Sequence, residues 1–149
     1  MSENNLYHPS EKAKNISLIN KKDFSEKYDN SIELNDEFWS EEGKKIEWIK
    51  PFSKVKDVSY DLNDLHIRWF YDGSLNVSSN CLDRHIETRG NQIAIIWEGD
   101  NPNETKKITY RELHEEVCKF SNALKANGAK KGDRITIYMP MIPEAAVAM

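Results

Sequence analysis

A chain of 149 residues is about one domain long, and 31% charged against 38% hydrophobic residues, with a mean hydropathy of -0.76, makes it polar for a globular protein. Four Trp, six Tyr and five Phe nevertheless exclude disorder of the whole, since disordered chains lack the side chains that offset ordering entropy. A net charge of -4 with no basic face excludes a nucleic-acid module, two cysteines exclude a disulfide framework, and no run approaches the ~20 apolar residues of a membrane span.

The opening residues, Met1 to Pro9, carry neither a basic nor an apolar signal-peptide region, so a reducing, cytoplasmic setting is expected. Residues 1–64 hold ten Lys/Arg against fourteen Asp/Glu, while residues 65–149 hold eleven of each. The whole acidic excess therefore lies in the first part, as in a solvated segment ahead of a more conventional core.

Residues 1–20 have weak apolar marks (Leu6, Tyr7, Ile16, Leu18, Ile19) and read as an extended arm. Asp23 can cap a helix over Phe24–Asn30, and Asn35 or Asp36 a second over Glu37–Ile46. Pro51 ends that helical stretch, because the residue before proline is pushed out of the helical region. This acidic, aromatic segment has poor periodicity, so Phe38, Trp39, Trp48 and Phe52 are expected to bury themselves on another domain.

Ile67–Tyr71 reads as a strand and Asp72-Gly73 as a turn, with a hairpin to Leu75–Val77 as one option. Asn80 to Arg89 reads as a helix with Asn80 as cap, Asp83 at its third position and Gly90 as its stop. Ile93–Trp97 is apolar on both faces, as in a central strand, and Glu98–Pro102 is a loop. Thr109 and Glu112 spell a capping box ahead of Leu113, Val117, Phe120 and Leu124, and Asn127-Gly128 ends that helix. Lys130–Asp133 is a tight turn, Arg134–Met139 a strand, and Pro143 opens a last helix that has no C-cap by Met149. The expectation is an α/β arrangement left incomplete, with a free sheet edge and a chain cut after Met149.

Chemistry-bearing patterns are sparse. The six glycines (Gly43, Gly73, Gly90, Gly99, Gly128, Gly132) form no phosphate cradle. His8, His66, His85 and His114 with Cys81 and Cys118 show no metal-ligand spacing. Cys81 and His85 stand four apart on one expected helix; a small buried hydrophobe beside a surface histidine is the expected reading, because no third group orients a nucleophile. Cys118 is expected in the core, and Glu41-Glu42 and Glu115-Glu116 on solvated faces. Trp69, Phe70 and Tyr71 are expected to pack rather than to stack a base, Arg84 and Arg89 to lie in surface ion pairs or solvent, and Met139, Met141 and Met149 to fill a core.

Six runs resemble one family in its order and spacing. They are Trp48-Ile49-Lys50-Pro51-Phe52, Asp72-Gly73-Ser74-Leu75-Asn76-Val77, Asn80-Cys81-Leu82-Asp83-Arg84-His85, Ala94-Ile95-Ile96-Trp97-Glu98-Gly99-Asp100, Ile108-Thr109-Tyr110-Arg111-Glu112-Leu113-His114, and Tyr138 through Met149. Together they resemble the acetyl-coenzyme A synthetases, within the acyl-adenylate-forming enzymes, across residues 23–149. The Asn-Cys-Leu-Asp-Arg-His run favours acetate over propionate or acetoacetate relatives.

The resemblance implies an α/β fold: an N-terminal helical or extended arm, then the start of the first α/β subdomain of an adenylate-forming large domain. It implies an extended arm at 1–22, the synthetase N-terminal region at 23–82, and the beginning of the AMP-binding domain at 83–149. The implied parent is a cytoplasmic ligase that joins acetate and ATP into acetyl-adenylate, releasing pyrophosphate, and passes the acetyl group to coenzyme A with Mg²⁺ present. Its catalytic, ATP-, CoA- and metal-binding residues would lie beyond Met149, so none is assigned to this chain. The rest of the adenylation domain is its expected packing partner, with neither nucleic acid nor membrane. Arg84 and His85 are expected to stabilise the join between the two regions. Two alternatives stay open: a ligase for another short acid such as propionate, and a stand-alone binding or regulatory module.

Overall fold

A computed structural model describes residues 7–149, so the apolar mark at Leu6 lies outside the described residues. The chain divides into two compact units, Met1–Leu75 and Asn76–Met149.

In the first unit the expected extended arm contains a short helix, α1 (Glu11–Ile16), because Ser10 accepts a hydrogen bond from the Ala13 amide and caps it. Helix α2 (Lys21–Glu33) begins two residues before the expected cap, Asp23. Asn20 is the cap, and Asp23 closes the box from the third position by accepting from the Asn20 amide at 3.3 Å. Helix α3 (Asn35–Gly43) follows after Leu34 alone, with no side-chain cap, so neither Asn35 nor Asp36 plays that part.

Strands β1 (Lys56–Ser59) and β2 (His66–Trp69) pair antiparallel, Val58 opposite Ile67 and Asp57 opposite Arg68. The optional hairpin between Ile67–Tyr71 and Leu75–Val77 does not form; an isolated bridge joins Lys50 to Ser74 instead. The Asp72 carboxylate anchors the returning chain by accepting from the Ser53 amide, the Ser53 hydroxyl and the Lys54 amide. The Ser53 hydroxyl bond leads the causes that hold the Asp72 carboxyl below its usual range.

The aromatics expected on another domain pack on each other within this unit. Phe52 and Phe70 have ring centroids 4.7 Å apart, Trp48 and Phe52 5.1 Å, and Trp39 and Trp69 5.9 Å. Phe70 takes φ 49°, a left-handed backbone that costs a non-glycine residue roughly 1–2 kcal/mol. Its ring seats against both Phe52 and Trp48, and those contacts offset the strain.

In the second unit, helix α4 (Val77–Cys81) starts earlier than expected because Asn76 supplies the cap, accepting from the Ser79 amide at 3.0 Å. Asn80, the expected cap, lies inside it. The helical ladder breaks at Leu82, which is buried, and resumes as a 3₁₀ turn (Asp83–His85) and helix α5 (Ile86–Arg89), with Gly90 as its cap as expected.

Strand β3 (Ile93–Glu98) pairs antiparallel with β4 (Thr105–Thr109), with a register shift between Ile93 and Ile95. Expected as a central strand, β3 has this one partner among the described residues, and Ile93 and Ile96 are exposed. Arg134–Met139, expected as a strand, forms no ladder: an extended segment becomes a strand only when a neighbour takes its amides and carbonyls.

Helix α6 (Tyr110–Ala126) has the capping box its sequence spells: Thr109 donates its amide to Glu112 Oε2 at 2.8 Å and accepts from the Glu112 amide. Gly128, at φ 88°, closes its C-terminus in the left-handed conformation that favours glycine. Helix α7 (Pro143–Ala148) carries proline in its first turn, as expected. Leu82, Ile108 and Leu113 form the buried core of this unit, with Ile95, Val117 and Val147 packed around them.

Thr109→Ala is expected to cost about 1 kcal/mol, a typical cap loss, read as a lower denaturation midpoint. The Glu112 carboxyl is held below its usual range, first by the Thr109 backbone amide and then by its hydroxyl. The wild-type advantage conferred by the box is therefore full above the ordinary glutamate range and fades as pH falls through the lowered value. Equal stabilities for the two proteins at neutral pH would refute the capping role.

Candidate functional site

The polar cleft between α4, the 3₁₀ turn and α6 brings a histidine, a cysteine and an aspartate of the second unit together. It encloses about 260 Å³ lined by Asn76, Ser79, Asp83, His114, Cys118 and Lys125, among others. His114 and Cys118 stand four apart on α6, which places both on one face, and the 3₁₀ turn brings Asp83 to them. Cys118 Sγ lies 3.6 Å from His114 Nε2, and Asp83 Oδ1 lies 3.5 Å from the same nitrogen.

Both contacts converge on Nε2. A nucleophilic relay needs the thiol on one ring nitrogen and the orienting carboxylate on the other, so this trio is not one. Cys118 itself is exposed, which corrects the expectation of a core residue. Leu113 and Val117 occupy the inward stripe of α6, and Cys118 is rotated off it by one step of about 100°. Only the i, i+4 spacing of His114 and Cys118 could have signalled their contact beforehand.

The other singled-out residues scatter. Cys81 is exposed at the end of α4, whereas His85 lies beyond the break at Leu82 with its ring against Tyr110, 5.8 Å between centroids. Arg84 donates to Asn80 Oδ1 at 3.0 Å, and Arg89 is exposed in the last turn of α5. Glu41 pairs with Lys44, Glu42 with Lys45 and Lys27, and Glu116 with Lys119, so the acidic pairs lie on solvated faces as expected. The Lys45 hydrogen bond is the main reason the Glu42 carboxyl sits below its usual range.

Trp69 and Phe70 pack rather than offering a free stacking platform, and Lys54 lies 6.0 Å over the Tyr71 ring. The three methionines are exposed rather than core-filling, Met141 at 89%. They flank an apolar surface with Ile95, Trp97 and Ile137, to which the Trp97 indole N–H ties the chain by donating to the Met141 carbonyl at 2.9 Å. Among the described residues no group of three or more His, Cys, Asp or Glu can hold a metal ion, and no helix is long and apolar enough to cross a membrane.

Comparison with known proteins supplies what the geometry does not. The family model described as acetyl-coenzyme A synthetase N-terminus matches residues 24–81, and that described as AMP-binding enzyme matches residues 82–149. The whole chain aligns with the acetyl-coenzyme A synthetases of Marinobacter nauticus at 56% identity and Vibrio cholerae at 54%. It spans 23% of the length of each of these curated relatives. Among solved structures, an acetoacetyl-CoA synthetase from Streptomyces lividans superposes with a TM-score of 0.67 at 29% identity, covering 80% of this chain and 18% of that one. Two adjoining family matches and identity along the whole length agree: the chain is similar throughout to part of the acetyl-coenzyme A synthetases, its first region to their N-terminus and its second to AMP-binding enzymes.

Proposed function

We propose that this chain is the N-terminal part of an acetate–CoA ligase, which makes acetyl-CoA from acetate, ATP and coenzyme A through acetyl-adenylate. The observation that carries the reading is 56% identity to an acetyl-coenzyme A synthetase across all 149 residues. The region boundaries 23–82 and 83–149 belong to the same proposal, supported by family matches that meet between residues 81 and 82. A cytoplasmic setting and small-molecule substrates follow from it.

The described residues do not fit an ATP, CoA or Mg²⁺ site of their own. The glycines are dispersed, the cleft beside α6 carries one lysine and one histidine, and among the described residues no carboxylate cluster could hold a divalent ion. No catalytic step is therefore derived from them. Their role is to build and brace. The apolar surface around Met139–Ile142 and the exposed Tyr138 suits burial under the remainder of an adenylation domain.

The test is acetate-dependent exchange of pyrophosphate into ATP, run on the full-length protein and on residues 1–149 alone. Exchange by the full-length protein and none by the 149-residue chain is expected. Exchange by the short chain would overturn the placement of the chemistry outside it. Comparing kcat/KM for acetate and propionate then fixes the acid, since one methylene in a pocket is worth about 1–3 kcal/mol.

A further inference from the structure

His66 opens β2 between two carboxylates. Its Nε2 stands 3.0 Å from Asp57 Oδ1 on β1. Its Nδ1 stands 3.2 Å from Asp64 Oδ1 and 3.1 Å from the Asp64 carbonyl oxygen, both in the turn that joins the strands. A neutral imidazole carries one N–H, so either tautomer turns a lone pair onto an oxygen that can only accept. The imidazolium donates from both nitrogens and satisfies every contact. The geometry is complete for one protonation state alone.

We propose that His66 is a proton-operated clasp of the β1–β2 hairpin: as imidazolium it ties the connecting turn, residues 60–65, to β1, and as neutral imidazole it releases that turn.

The surrounding charges confine the effect to the turn. Arg68 on β2 lies 3.6 Å from Asp57 Oδ2 and keeps its charge throughout, so Asp57 retains one partner when His66 is neutral. Lys54, just before β1, acts on Asp57 at longer range. Asp61 is engaged within the turn, accepting from the Asn63 amide at 2.8 Å. Among the described residues Asp64 pairs with no cation but His66, which links it to the strands of the hairpin.

The signs set a window. The hydrogen bond to Asp57 leads the causes that raise the His66 imidazole above its ordinary value, so its contribution is full below that value and lost as pH rises through the raised one. The same bond leads in lowering the Asp57 carboxyl, whose contribution is lost as pH falls through the lowered value. The clasp is closed between those limits. What it orders is a turn with Tyr60, Leu62 and Leu65 exposed, so it governs how an apolar hairpin tip is held.

The test uses the full-length protein. Mass spectrometry of hydrogen exchange at the His66 imidazole C2 position, from about pH 5 to about pH 9, gives its midpoint. Backbone amide exchange of the peptide spanning residues 60–65, corrected for the intrinsic pH dependence, gives the state of the turn. The expected result is a midpoint above the ordinary ~6.5 and turn protection that falls several-fold through that midpoint. Asp57→Asn is expected to move the midpoint down, and His66→Gln to leave the turn at the released level at every pH. Should Asp57→Asn disrupt the hairpin, Asp64→Asn, which leaves β1 untouched, is expected to lower the midpoint in its place. A midpoint at or below ~6.5, or turn protection that does not change through it, would overturn the proposal.

Discussion

Trp48→Ala is expected to be the most damaging single substitution in the first unit, at about 3 kcal/mol, the lower end of the cost of deleting a packed aromatic because this ring is half-buried. The ring meets Phe52 at 5.1 Å and Phe70 at 5.8 Å, and its indole N–H donates to the Gly43 carbonyl at 2.8 Å. Gly73 sits directly against its face: a Cβ there would lie 2.6 Å from Trp48 Cζ3, so the turn after β2 is fitted to this indole. Removing it empties the joint between the end of α3, the Pro51-Phe52 corner and the turn at once. Denaturant unfolding followed by Trp39 and Trp69 fluorescence reads the loss. Trp48→Phe, which keeps the ring contacts and drops the hydrogen bond, is expected to cost nearer 1 kcal/mol. A midpoint unchanged in Trp48→Ala would mean that the aromatic cluster does not hold this unit together.

Legibility in the sequence followed how local each signal is. The box of Thr109 and Glu112 and the stop at Asn127-Gly128 are written within four residues, and helix α6 is where they put it. The box of Asn20 and Asp23 is equally local, yet Asp23 read as the cap because either residue can serve and only the backbone decides. Strands β1 and β4, Lys-Asp-Val-Ser and Thr-Lys-Lys-Ile-Thr, were invisible: neither alternates apolar and polar residues, and each is a strand because a neighbour takes its hydrogen bonds. Arg134–Met139 is the reverse case, a good strand pattern with no ladder partner among the described residues.

The candidate sites divide in the same way. The Cys81–His85 spacing was sound arithmetic on a continuous helix, but the break at Leu82 rotates the two apart. Asp83 meets His114 from more than thirty positions away, where no spacing rule reaches, whereas the contact of His114 with Cys118 is an i, i+4 pair within one helix. The His66 cluster lies within ten residues, but its second carboxylate comes from across the β1–β2 pairing, and β1 could not be read. The family resemblance was legible where packing was not. Runs such as Asn-Cys-Leu-Asp-Arg-His keep their identity whether or not the surfaces they serve are on the same chain segment.

In the second unit the corresponding position is Leu113, and Leu113→Ala is expected to cost about 2–4 kcal/mol. It is 7% exposed and packs with Leu82 and Ile108, and these three form the buried hydrophobic core among the described residues. With so few, each carries a large share, and removing Leu113 deprives both others of their common neighbour. Ile96→Ala, on the exposed face of β3, is expected to stay within about 0.5 kcal/mol of wild type, which separates burial from β-branched content. The residue is also one helical turn from Thr109, whose box fixes where α6 begins and hence which way Leu113 points. The cap and the core contact should therefore not be independent. Once Leu113 is gone, the start of the helix positions nothing buried, and fraying it costs less. Thr109→Ala combined with Leu113→Ala is expected to fall short of the sum of the two single losses by about 0.5 kcal/mol or more, as neighbouring sites do. Strict additivity in denaturant unfolding would mean that the capping box stabilises α6 locally without orienting the core.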